Sequence, residues 1–131
     1  MRFPHGLDPV QGYGNLLSLV GGFFTNGASD PVATTVNGGF FTVVHTATGV
    51  YTATFKDLLN LPVGIFPSLQ MATPDGSKAV AGAWTAASGA TPPTLVIQTR
   101  NASDTLFDLA AAASNYVSLE LRFKMTSAPR P

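Results

Sequence analysis

YVSLELRFKM, residues 116–125, alternates without interruption. Val117, Leu119, Leu121, Phe123 and Met125 are apolar, while Tyr116, Ser118, Glu120, Arg122 and Lys124 stand between them. Successive side chains of a strand point to opposite faces, so this period of two marks one face in a core and the other in water. A parallel strand covered on both faces would read as a continuous apolar run instead. The stretch therefore predicts an antiparallel sheet that is wet on one side.

Working outward, similar signals recur along the chain. FFTVVHT (40–46), a TATG-type turn and VYTATF (50–55) predict a β-hairpin rich in β-branched and aromatic residues. Phe41, Val43 and His45 share one face of its first strand, and Tyr51, Ala53 and Phe55 share one face of its second. IFPSLQMAT (65–73) predicts a strand whose Pro67 confines it to an edge or a bulge. PDGS (74–77) is a turn signature, and the strands AVAGAWTA (79–86) and TLVIQTR (94–100) follow it. KDLLNLP (56–62) reads as one helical turn or a loop. NASDTLFDLAAAAS (101–114) is the one stretch with helical character, with Ser103 or Asp104 as its cap. Six or so short strands with frequent turns predict an all-β fold, an antiparallel β-sandwich or barrel, with the jelly-roll-like β-sandwich preferred.

Residues 1–37 differ from the rest. Pro4, Pro9, Gly6, Gly12 and Gly14 interrupt any pattern, and only NLLSLVGGFF (15–24) reads as a strand. This predicts an extended, irregular N-terminal arm over 1–37, a sandwich domain over 38–126 and a peripheral tail over 127–131. The arm either packs on its own domain or is ordered by neighbouring chains, and the second is favoured. The five letters GGFFT occur at 21–25 and again at 38–42. Neighbouring phenylalanines on a strand face opposite ways, so one of each pair needs cover from the arm or another subunit. Phe3, Leu7, Leu16, Leu17, Phe23, Phe24 and Phe40 are accordingly the candidate assembly contacts.

Composition supports that direction. Only 11% of the 131 residues are charged, against roughly 25% in ordinary soluble domains, so the surface has little of the usual protection from association. Net charge is zero and no basic run exists to neutralise phosphates, which argues against nucleic acid as a partner. No polybasic signal or long apolar span points to a membrane. Cysteine is absent, so disulfides and thiolate chemistry are excluded, in keeping with synthesis in a reducing cytoplasm.

The residues offer little chemistry. His45 shares a strand face with apolar neighbours and reads as a structural or interface histidine, while His5 lies in the arm. Asp75 and Asp104 are explained by a turn and a cap, and Glu120 by pairing with Arg122. There is no G-x-S-x-G elbow, no calcium-loop spacing of acids and no phosphate-cradling glycine loop. No catalytic, cofactor or metal residues are assigned, and the chain is expected not to be an enzyme.

TATGVYTATF (46–55) resembles the TGVYTVTF hairpin found in many small virion proteins of tailed bacteriophages. The closing run TLVIQTRNASDTLFDLAAAASNYVSLELRFK (94–124) is similar to theirs as well, with a penultimate strand, an Asp/Ala-rich loop and an apolar last strand. The resemblance spans residues 46–125 and leaves the arm outside. It implies a head decoration (cement) protein, typically trimeric, whose partners are the major capsid protein and two copies of itself. Its place would be the capsid surface of the virion, and no cofactor or catalytic residue carries over. The alternatives are a receptor- or glycan-binding fibre tip and a neck or tail structural subunit. For a tip the lone aromatic candidate is Trp84, which alternates with small residues as a core or trimer-axis residue would.

Overall fold

The computed structural model describes residues 16–56, 62–112 and 114–124. Seven strands run in chain order: β1 (Leu16–Phe24), β2 (Phe41–Ala47), β3 (Val50–Phe55), β4 (Gly64–Gln70), β5 (Lys78–Thr85), β6 (Thr94–Arg100) and β7 (Tyr116–Lys124). One 3-10 turn, Ala33–Thr35, lies between β1 and β2. The strands form two antiparallel sheets, β1-β7-β4 and β2-β3-β6-β5, packed as an all-β sandwich. The described residues thus supply one strand fewer than the eight of a full jelly roll.

β7 is the centre of the smaller sheet, and its alternation is realised as read. Val117, Leu119, Leu121 and Phe123 are buried, and Ser118, Glu120 and Arg122 look outward. The larger sheet answers with Phe41, Val43, Tyr51, Ala53, Phe55, Leu95 and Ile97, all buried in the same core. Each large side chain buried there contributes roughly 1.5–3 kcal/mol by leaving water. Pro67 lies in β4, an edge strand, where its missing N–H leaves no ladder bond unmade on the free side. The β2–β3 hairpin turns through Thr48 and Gly49, with Gly49 at φ 66° and a register shift between His45 and Ala47.

The structure departs from the sequence reading in three places. Residues 16–24, assigned to the arm, are β1, an integral strand paired with β7 along its whole length. The pairing is between residues about a hundred apart, which no local pattern announces. Second, 101–114 forms no helix over its described residues. Asn101 accepts the backbone N–H groups of Ser103 and Thr105 through Oδ1, at 2.9 and 3.0 Å, and Asp104 sits at φ 64°. That side-chain turn diverts the backbone from helix, and Phe107 N–H then bonds Thr99 O beside β6. Third, Phe40 precedes β2 rather than standing in it. Gly38 (φ 112°) and Gly39 (φ 70°) turn it back onto Phe41 and Phe55, at ring separations of 4.8 and 6.0 Å. The 56–62 expectation and the 127–131 tail lie, apart from Lys56 and Pro62, outside the described residues.

Candidate assembly surface

The outer face of the three-stranded sheet follows from its register. Four rows cross β1, β7 and β4: Ser18–Arg122–Gly64, Val20–Glu120–Phe66, Gly22–Ser118–Ser68 and Phe24–Tyr116–Gln70. Val20 is 65% exposed and Phe66 51%, so the second row holds two large apolar side chains in water, separated only by Glu120. The charges in these four rows, Arg122 and Glu120, are paired with each other. Arg122 Nε donates to Glu120 Oε2 at 2.9 Å, and the Arg122 guanidinium stands 5.5 Å from the Phe66 ring centroid. The row therefore presents apolar area with its local charge already neutralised, the composition of a contact face. Ser68 and Ser118 bond each other at 3.1 Å, leaving the third row low and smooth.

Of the seven residues named from sequence, the four whose side chains are described do not gather into one surface. Phe3 and Leu7 lie outside the described residues, and of Leu16 only the backbone is described. Leu17 is on the inward side of β1, opposite Phe123, and is partly exposed at the end of the sandwich. Phe23 is fully buried against Tyr51, with ring centroids 5.1 Å apart, and is a core residue that can touch no partner. Phe24 is outward and leans on Tyr116 at 4.8 Å. Phe40 is partly buried on the core cluster, so of the two covers expected from sequence, the arm or another subunit, its own chain supplies one. Val20 was missed because LLSLV carries no alternation to separate its faces, and Phe66 because it joins Val20 only through the register of β1 and β4 on β7. Trp84 is partly buried on Phe55 and Phe123, at 5.3 and 6.1 Å, in keeping with the core reading.

A second cluster carries the titratable chemistry. His45 Nε2 lies 2.7 Å from Asp108 Oδ1, and the same oxygen accepts the Gly49 N–H at 2.7 Å. Asp30 Oδ1 accepts the His45 backbone N–H, also at 2.7 Å. Burial pushes the Asp108 carboxyl up, but the Gly49 and His45 hydrogen bonds and the His45 charge outweigh it and hold it below the ordinary carboxylate value. Tyr51, edge-on to His45 at 5.3 Å, is pushed up to about 12 by burial and then by the Asp108 charge. Among the described residues no hydroxyl is hydrogen-bonded to the His45 ring, so no nucleophile–base pair is assembled there. The cluster instead fastens the 107–109 segment to the β2–β3 turn. No group of three His, Asp or Glu able to hold a metal occurs among the described residues, and no helix there is long and apolar enough to cross a membrane.

Comparison of the chain with protein-family models, with curated proteins and with solved structures gave no match.

Proposed function

We propose that this chain is a structural subunit of a tailed-phage virion. Its role is that of a head decoration protein, bound as a homotrimer to the major capsid protein on the capsid surface. The observation that carries the reading is the Val20–Glu120–Phe66 row, exposed apolar area with its ion pair already closed. The low charge content and the likeness of the hairpin and closing run to phage virion proteins support the same reading. A clamp that binds the assembled shell and not its parts stabilises the shell by mass action, and needs no catalytic group to do so.

Sedimentation with expanded, undecorated capsids tests it. The wild-type chain pellets with the capsids, and the double variant V20D/F66D loses at least about tenfold in binding while keeping its circular dichroism spectrum, because exposed positions tolerate change. A wild-type chain that stays in the supernatant overturns the proposal. Copy number in the virion separates the neighbouring roles. Near-equality with the capsid subunit fits decoration, and a dozen or fewer copies fits a neck or fibre position.

A further inference from the structure

The last row of the outer face, Phe24–Tyr116–Gln70, borders two hollows that the assembly reading leaves unused. One, of about 430 Å3, is bounded by Tyr116, Gln70, Asn37 and Ser114. The other, of about 330 Å3, lies on the far side of Phe24 against Val32, Ala111 and Ala112. Both fall within the size range of small-ligand sites.

The larger hollow has a fixed aromatic floor. Gly22 offers no Cβ, and an added one would collide with Tyr116 Cζ and Oη, so the tyrosine ring lies directly over the β1 backbone. Phe24 flanks that ring, and Asn37 Nδ2 donates to Tyr116 Oη at 3.2 Å. Asn37 is itself clamped to Gly22 by two backbone bonds of 2.8 and 3.1 Å. The wall is fastened too. Thr25 Oγ1 and Asn115 Nδ2 both donate to Ala110 O, and Gly27 N–H bonds Leu109 O. A site ordered before binding loses little entropy when a ligand arrives.

The chemistry of the lining selects the ligand. Among the described residues no charged side chain lines either hollow, which gives an anion or a cation nothing there to pair with. Gln70 and Ser114 make no side-chain hydrogen bond with the described residues, so an amide and a hydroxyl face the cavity with their capacity unspent. A ring with one C–H face for Tyr116 and hydroxyls for Gln70, Ser114 and Asn37 fits this half. The apolar half beyond Phe24 accepts a methyl group. We propose that the two hollows together bind a neutral saccharide carrying a methyl substituent, an N-acetylhexosamine or a 6-deoxyhexose. The assignment stands whether or not the chain decorates a capsid.

Isothermal titration with chitotriose and with rhamnose- and fucose-containing oligosaccharides tests it, using maltotriose as the methyl-free control. Binding with a Kd below roughly 1 mM is expected for at least one methyl-bearing probe, at least about fivefold tighter than for maltotriose. It holds from about 50 to 500 mM NaCl, because no charge is involved. Q70A, at an exposed position, weakens it at least about threefold, and Y116A abolishes it. Both variants keep the wild-type circular dichroism spectrum, and capsid sedimentation is read on the wild-type chain without sugar, so failure here and failure of the decoration reading are separate results. No binding at about 5 mM of any probe overturns the proposal. Binding confined to sialylated glycans and lost in salt also overturns it, as does binding indifferent to Q70A and Y116A.

Discussion

The two GGFFT segments show how much one residue's setting decides. Phe23 and Phe24 are adjacent and chemically identical, yet one is sealed against Tyr51 and the other lies outward on Tyr116. F23A is expected to cost about 3–5 kcal/mol, the transfer of a ring plus the cavity it leaves. F24A removes only a partly buried contact and should cost about 1–2 kcal/mol. Urea titrations of the two variants check the gap, and equal losses would contradict the placement. Opposite facing within the pair was legible from sequence. Which phenylalanine went inside was not, because that depends on the register with β7, set by residues about a hundred positions away. The second pair resisted for another reason: the left-handed glycines at 38 and 39 remove Phe40 from the strand that the pattern placed it in.

Among the elements, β7 and the β2–β3 hairpin were readable because alternation and turn chemistry are local. The 101–112 segment was not. Its leucines and alanines favour a helix, but Asn101 turns the backbone through the N–H groups of Ser103 and Thr105, and Asp108 ties it to His45 and Gly49 of the distant β2–β3 hairpin. Asp108 makes that hold dependent on pH. Its carboxyl titrates lower in the fold than its ordinary value of 3.8, so its contribution is complete above about pH 4 and fades as pH falls through the folded value. D108N should therefore lose about 1–3 kcal/mol at pH 7. The difference from wild type should close as pH falls through the lowered folded value, once the wild-type carboxyl is protonated too. Denaturation across that range reads both parts, and a difference that persists unchanged into acid would assign the loss to packing instead. The exposed Asp75, bonded to Ser77 and also lowered, is common to both proteins and cancels from the comparison.

For the whole molecule, the all-β class and the antiparallel sandwich followed from strand count and turn spacing, while the division into sheets did not. β1 pairs β7, β3 pairs β6, and the chain crosses between layers after β1, β3, β4 and β6. Such non-local pairing predicts refolding in milliseconds to seconds, slower than helical domains of similar size. Stopped-flow fluorescence of Trp84 measures it, and microsecond refolding would contradict the topology. The outer surface was less legible still, since Val20, Glu120 and Phe66 meet only once three separate segments are side by side.

The position of β7 between β1 and β4 also bears on synthesis. A ribosome must release the chain past residue 116 before either neighbour has a strand to join, so a polypeptide cut short there carries two unpaired edges and half a core. Premature termination then yields material for proteases rather than a folded sandwich. Among the described strands, β7 is the one whose arrival certifies that the sandwich can close.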